Sequence, residues 1–470
     1  MIEDDGCPWT LTKVSRAFRT IALSTPRIWG GISSLLSGEE LDYGVYPRFT
    51  TGYRWKFGKQ YCFTAKQLDQ ALKRAKAAPL DLVIKWKGAY STAMNDSVKE
   101  MIAVVAGERL SQCRSLEFAV EDYWDLSDIW FGSLERLTFL RLDSFNQGLY
   151  DCACKTARNL RNIEIHMNNP PLSEVTNAPW WQHIHRLVLS IPVESVGALD
   201  PSAVRTVQCN SVVDILSKAV ELEDLNVQFQ DSSDFPPIQK RLHFPRMKKL
   251  ILKNCAALLP NISAPFITHL EIQTRRWVDP ATFIPGSIFF PAVTHLSVCS
   301  TADPVLAAFY CPSLVQLCIS TPVTIYPSRF SNDGLLTSAW SPDNDPSRHL
   351  KPSVLRLERL KFTWTVLRDL LRFSLHDCLK ELFMFDILLP KCFFEALTAA
   401  TPPSVICEGL EKLWVSYSTH YRYERVMNRC EAKVILKNMF TSRREQNLGL
   451  RRVTAWWSWT NFCVKFGDEE

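Results

Sequence analysis

The chain of 470 residues is poor in glycine, with 17 Gly against 27 Pro and 26 Phe. Loops that cradle phosphates are built from glycines, because only a bare backbone approaches the anion closely enough. This scarcity disfavours a Gly-rich nucleotide-binding enzyme. Gly-x-Ser-x-Gly elbows, Walker loops and dinucleotide fingerprints are all missing. So is any apolar run of about 18 residues that would span a bilayer. No N-terminal segment resembles a signal peptide. There is also no excess of one charge: 54 basic and 49 acidic residues leave a net +5. Nucleic-acid binders usually present a strongly basic face, so neither nucleic acid nor membrane is expected as a partner. The 15 cysteines are odd in number and irregularly spaced, which argues against a disulfide framework. A reducing compartment, cytoplasmic or nuclear, is the expected location.

What is present is a hydrophobic fraction of 46% with 22% charged residues, the balance of a folded protein. The length exceeds one compact core and implies several domains or an elongated array. From about residue 80 one pattern recurs: apolar-x-x-apolar-x-apolar. Copies are Leu137-x-x-Leu140-x-Leu142, Leu160-x-x-Ile163-x-Ile165, Ile184-x-x-Leu187-x-Leu189, Leu222-x-x-Leu225-x-Val227 and Met247-x-x-Leu250-x-Leu252. Ile267-x-x-Leu270-x-Ile272, Val293-x-x-Leu296-x-Val298 and Leu314-x-x-Leu317-x-Ile319 follow. After a gap come Leu357-x-x-Leu360-x-Phe362, Leu379-x-x-Leu382-x-Met384 and Leu410-x-x-Leu413-x-Val415. The period-2 ending reads as a short strand with alternate side chains buried. Most copies lie about 18 to 31 residues apart, which brackets the leucine-rich-repeat period. One such unit cannot bury its own apolar face, but stacked units share a core and form a parallel sheet. Prolines precede several copies, as in Phe244-Pro245, Phe290-Pro291 and Cys311-Pro312, and are expected at strand starts. Few copies carry the Asn or Cys that closes the standard repeat, Asn254-Cys255 being the best exception. The expected fold is therefore α/β, an irregular leucine-rich-repeat solenoid without a continuous asparagine ladder.

Residues 14–29 read Val-Ser-Arg-Ala-Phe-Arg-Thr-Ile-Ala-Leu-Ser-Thr-Pro-Arg-Ile-Trp. Val14, Phe18 and Ile21 have helical spacing, and Thr25-Pro26 is a stop followed by a new start. This stretch resembles the second half of an F-box as found in the fungal F-box/leucine-rich-repeat-like proteins. The family pattern V-C-R-x-W-R-x-I-A-x-x-T-P-x-L-W is matched at Val14, Arg16, Phe18, Arg19, Ile21, Ala22, Thr25, Pro26, Ile28 and Trp29. Ser15 and Phe18 stand where Cys and Trp are usual. The Leu-Pro-x-Glu-Ile-Leu helix that opens an F-box has no counterpart in Ile2–Trp9, so the resemblance is to an incomplete F-box. It implies a Skp1-type adaptor protein as partner and a second, unknown protein as target. Leu11, Val14, Phe18, Ile21 and Trp29 are the expected adaptor contacts or the packing beneath them. A plainer account of the helix alone is an amphipathic cap on the solenoid.

Four segments follow. Residues 1–36 are the partial F-box hairpin, and 37–67 an aromatic-rich connection. Residues 68–455 are the repeat array, interrupted by a Pro/Ser/Asp-rich insertion at 321–353. Residues 456–470 are expected to be a C-terminal cap or tail. A helix is expected over Ala65 to Ala78, followed by the alternating Leu80–Ile84.

Sites for chemistry are scarce. Cys152-Ala-Cys154 lacks the second ligand pair a closed zinc site needs, so packing is the expected role. His183-Ile-His185 has the period to place two imidazoles on one strand face. His269 and His295 fall at equivalent places in neighbouring copies and are candidates to stack. The expected class is a non-enzymatic recognition subunit of a Skp1–cullin–F-box-type ubiquitin ligase, with no cofactor and no metal. The alternative is a repeat scaffold without a ligase connection. In either case the residues flanking each central Leu should form one exposed target-binding face: Asn162, Glu164, Arg186, Asp224, Asn226, Lys249, His269, Glu271, His295 and Gln316.

Overall fold

The structure is a computed structural model. It describes residues 16–25, 65–86, 99–120 except 101, 129–142, 147–166, 175–191, 201–230, 240–274, 286–300 and 304–321. It also describes 333, 336–337, 340, 350–398 except 361, 388 and 390, then 406–417, 429–457 and 462–467. The chain divides into two compact units, Met1–Leu222 and Glu223–Glu470.

The first unit holds helix α1 (Arg16–Ser24), helix α2 (Ala65–Ala75) and strands β1 (Leu80–Trp86), β2 (Cys113–Val120) and β3 (Phe139–Leu142). Helix α3 (Gln147–Thr156), β4 (Asn162–His166), β5 (Arg186–Ile191) and helix α4 (Pro201–Lys218) follow. The strands pair parallel in chain order, with Leu116, Leu140, Ile163 and Leu187 directly opposite one another. All four are buried. Helix α2 ends at Ala75, one turn before the expected Ala78, where Lys76 takes a left-handed conformation.

The second unit repeats the device at greater length. Its strands are β6 (Asp224–Phe229), β7 (Leu242–His243), β8 (Lys249–Lys253), β9 (Ile262–Ser263), β10 (His269–Gln273), β11 (Ile288–Phe289) and β12 (His295–Cys299). Helix α5 (Pro304–Ala307), β13 (Phe309–Tyr310), β14 (Gln316–Ser320) and β15 (Val354–Glu358) continue the chain. Helix α6 (Trp364–Asp369), β16 (Glu381–Phe385), helix α7 (Lys391–Leu397) and β17 (Lys412–Tyr417) come next. Helix α8 (Arg429–Glu445), β18 (Arg452–Trp457) and β19 (Phe462–Gly467) end it. The main sheet runs β6-β8-β10-β12-β14-β15-β16-β17-β18-β19, and every pair but the last is parallel. The fold is thus α/β, built on a long, mostly parallel sheet.

The register explains why the leucine pattern repeats. Leu225, Leu250, Leu270, Leu296, Leu317, Leu355, Leu382, Leu413 and Val453 lie opposite one another, strand to strand. Each is at most 2% exposed, and full burial of a Leu contributes about 1.5–3 kcal/mol. A one-residue slip would turn every one of them to water, so the register is strongly specified. The backbone reinforces it just before each strand. Lys248 and Lys249 N–H both donate to the Glu223 carbonyl, Thr268 and His269 to Lys248, and Thr294 and His295 to Thr268.

Several expectations need correction. The prolines do not open strands. Each occupies the second position of a turn closed by a backbone bond, Met247 to Phe244, Ile267 to Ala264, Val293 to Phe290 and Leu314 to Cys311. Pro presets the dihedral that position requires and gives up no needed donor. The copy written Leu357-x-x-Leu360-x-Phe362 is misplaced: the strand is Val354–Glu358, and its buried pair is Leu355 and Leu357. Two copies were unrecognised, Cys113-x-x-Leu116-x-Phe118 and Leu450-x-x-Val453-x-Ala455. The 321–353 insertion does not part its neighbours, since β14 and β15 pair directly. Its described part is anchored: Leu336 and Trp340 are buried, and the Trp340 indole N–H donates to the Leu350 carbonyl at 2.8 Å. The expected boundary at 455/456 falls inside β18, and β19 pairs antiparallel with that strand.

Hydroxyls take over where an asparagine ladder would run. The Asn254 side chain donates to the Phe229 carbonyl at 2.7 Å, but the next rungs are buried Thr274 and Ser300, with Thr274 Oγ1 donating to Ser300 Oγ at 2.7 Å.

Candidate protein-interaction face

In a strand, residues on either side of a core position point to the opposite face. That places the ten sequence-selected residues on the sheet face away from the core, and none of them is buried. Neighbouring strands then bring them together. Asn162 lies opposite Arg186, and Asp224, Lys249, His269, His295 and Gln316 form one continuous row. Asn226 and Glu271 belong to the next row, separated by Ile251.

In the first unit this face is a chain of alternating charges. Arg141 lies 3.2 Å from the Glu117 carboxylate and 3.9 Å from that of Glu164. Glu164 also takes the Arg186 guanidinium at 3.2 Å and has His166 at 3.8 Å. The Glu164 side chain is 15% exposed, so this network is better shielded than a typical surface pair. Its neutral balance leaves no large field of one sign.

In the second unit the face changes character along the sheet. It begins polar, with Lys249, the His269–His295 stack and Gln316. It ends aromatic: Arg356, Phe383 and Trp414 lie side by side, and Phe385, Ser416 and Trp456 form the adjoining row. The Arg356 guanidinium sits 4.4 Å from the Phe385 ring centroid, and Phe383 and Phe385 are stacked with centroids 6.4 Å apart. The target-binding residues chosen from the sequence do not include Phe383, Phe385 or Trp414, although the signal was there. Phe383 and Trp414 occupy the last x position of Leu379-x-x-Leu382-x-Met384 and of its successor, where polar residues are the rule, and Phe385 directly follows the first of these copies.

Other candidates disperse. Of the adaptor residues, Leu11, Val14 and Trp29 lie outside the described residues. Phe18 and Ile21 fall on α1, where Ile21 is 54% and Leu23 43% exposed. His183 closes a 3-10 helix (Pro179–His183), and Ile184 is its buried C-cap, so His183 and His185 do not share a strand face. His185 instead sits 3.5 Å from Glu221. Trp180 and Trp181 are core residues, the latter donating its indole N–H to the Val175 carbonyl at 2.8 Å. Cys152 and Cys154 lie on α3, and burial raises the pKa of both thiols. Among the described residues, no group of three or more His, Cys, Asp or Glu is arranged to hold a metal ion, and no helix is long and apolar enough to cross a membrane.

The arrangement offers an extended array of side chains on a hydrogen-bonded backbone, suited to contacting another macromolecule. No protein-family model matches the chain, and no curated protein matches it significantly.

Proposed function

We propose that the chain is a non-enzymatic substrate-recognition adaptor of a Skp1–cullin–F-box-type ubiquitin ligase, built as an irregular leucine-rich-repeat array. Its N-terminal helix grips a Skp1-type adaptor, and its repeat face takes the target protein. The observation that carries this reading is α1. It is an amphipathic helix whose Ile21 and Leu23 stay exposed, within a stretch that resembles the second half of an F-box. Large apolar side chains left uncovered on a short helix are suited to a partner's groove. The role of the protein is positional: holding target and transferring enzyme together raises their effective concentration.

The test is recovery of a Skp1-type protein by the wild-type chain, Phe18→Asp and Ile21→Asp. Recovery by wild type and loss in both variants supports the adaptor role. Equal recovery by all three removes the helix from it. If none recovers Skp1, the reading that remains is a repeat scaffold without a ligase connection, which the sheet face alone supports.

A further inference from the structure

Among the described residues, the aromatic end of the sheet face carries a charge imbalance that its ion pairs do not cancel. Glu381 is held by Lys412 at 2.9 Å. Glu358 is held by Arg356 and, at 3.7 Å, by Arg359. Each carboxylate on this part of the face therefore already has a cation. Two cations beside the aromatic rows have none among the described residues: Arg452 at the start of β18, and Lys465, directly opposite Thr454 on β19. On the same face, Trp456 lies two residues beyond the Thr454–Lys465 pair and is 40% exposed, and Phe383 and Phe385 are half-buried on β16, across β17. The Arg356 guanidinium over Phe385 helps fix that ring in place.

We propose that Trp456, Phe383 and Phe385, with Arg452 and Lys465 on the β18–β19 side of them, dock an extended acidic protein segment carrying a bulky apolar side chain. This deepens the reading of the repeat face as the target-binding surface and rests on it. The rings supply a rigid apolar anchor with little entropy to lose on binding. The uncancelled cations supply the complement for carboxylates flanking that anchor and speed encounter with them. Aromatic rings beside cations would also suit single-stranded nucleic acid. A nucleic-acid strand needs a basic track along its backbone, whereas among the described residues this face offers two unpaired cations beside charges already paired, so the protein segment is favoured.

The experiment uses the full chain and fluorescence anisotropy. The probes are a dye-labelled peptide with a central Trp among glutamates, its lysine-for-glutamate counterpart and labelled oligouridylate. Wild type should bind the acidic peptide and neither other probe. Trp456→Ala should weaken binding about tenfold or more, the size expected for losing an aromatic anchor. Trp456→Tyr should restore most of it. Arg452→Glu with Lys465→Glu should abolish binding, while Lys253→Glu, on the same face at β8, should change nothing. Unchanged far-UV circular dichroism confirms that each variant is folded. No binding of the acidic peptide by wild type overturns the proposal. So does oligouridylate binding of equal strength, or a Trp456→Ala variant that binds as wild type does. Skp1 recovery by the same variants separates the two readings. Its absence with peptide binding intact removes only the ligase role, and the converse removes only this docking site.

Discussion

The imidazoles of His269 and His295 lie face to face across neighbouring strands, with centroids 4.4 Å apart and planes 4° from parallel. They are directly in register on β10 and β12, and each has a preceding threonine hydroxyl, Thr268 or Thr294, 2.9 Å from its Nδ1. Such a stack is comfortable only while uncharged. Partial burial, the His295 imidazole and the Lys249 ammonium together hold the His269 pKa below its ordinary value of 6.5. Glu271 is the nearest carboxylate along the same strand.

The first prediction follows from the sign of that shift. Because the folded pKa is the lower one, the unfolded chain takes up the proton first as pH falls. Stability is therefore unaffected above about pH 6.5, falls below it, and levels off beneath the folded value. His269→Gln should flatten this part of the profile. Urea midpoints measured from about pH 7.5 to about pH 5 check it. Parallel curves for wild type and variant would show that the stack does not couple to folding.

The histidine stack shows why part of this fold was legible. Two copies of Thr-His-Leu-x-apolar announce equivalent positions, and equivalence in a stacked array means adjacency. The same logic located nearly every core leucine, because burying one face of a strand forces a period of two. It failed at Leu357, where two overlapping apolar triplets compete. Only tertiary pairing, with Ile319 on one side and Met384 on the other, decides between them. It also failed at the aromatic face. Phe383 and Trp414 look like core residues in composition, and only their register shows them on the opposite side. The return segments were least legible. They alternate between helices, 3-10 turns and two-residue bridges such as β7–β9, whose conformations are fixed by their neighbours and not by local periodicity.

The second prediction tests the register directly. Leu296 is 1% exposed between Leu270 and Leu317. Leu296→Ala should cost about 2–5 kcal/mol, because the stacked strands on either side cannot close the cavity. Gln316→Ala, one position from a core leucine but on the other face, should change stability by about 0.5 kcal/mol or less. Similar losses for both, read from urea unfolding, would contradict the assignment of faces.

A third prediction concerns the interruption of the repeats. Trp340 is 6% exposed with its indole N–H on the Leu350 carbonyl, and the Asp333 carboxylate accepts the Thr363 backbone N–H at 2.7 Å. The segment is therefore fastened at both ends of its described part. Trp340→Ala should destabilise the second unit by about 3–5 kcal/mol, as truncating a buried aromatic does. A midpoint unchanged from wild type would mean that the segment is an appendage.

The fourth prediction rests on Arg443, whose side chain is fully buried on α8 and, among the described residues, forms no ion pair, although the Glu408 charge acts on it. Its guanidinium donates instead to backbone carbonyls: Nη1 to Leu397 at 3.2 Å and Ile406 at 3.0 Å, Nη2 to Cys407 at 2.5 Å and Glu408 at 3.4 Å. The adjacent Cys407 thiol is pushed up to about 12, mainly by burial, so it stays neutral and supplies no counter-charge. Cys407 itself holds a left-handed conformation at φ 50°, which turns its carbonyl and that of its neighbour toward the cation. One side chain thus ties α8 to both ends of the connection between α7 and β17. Arg443→Met keeps much of the length but takes the guanidinium donors from the Leu397, Ile406 and Glu408 carbonyls, while Cys407 keeps the Leu410 N–H; the cost is about 1–3 kcal/mol for each carbonyl left without a donor and out of reach of water. The expected loss is about 3 kcal/mol or more. Arg443→Lys should recover only part of it, since one ammonium cannot match the planar fork that reaches four acceptors. Hydrogen exchange should quicken first in 391–398 and 406–417, before the rest of the second unit loosens. Uniform loss of protection across that unit would instead assign Arg443 to the global core.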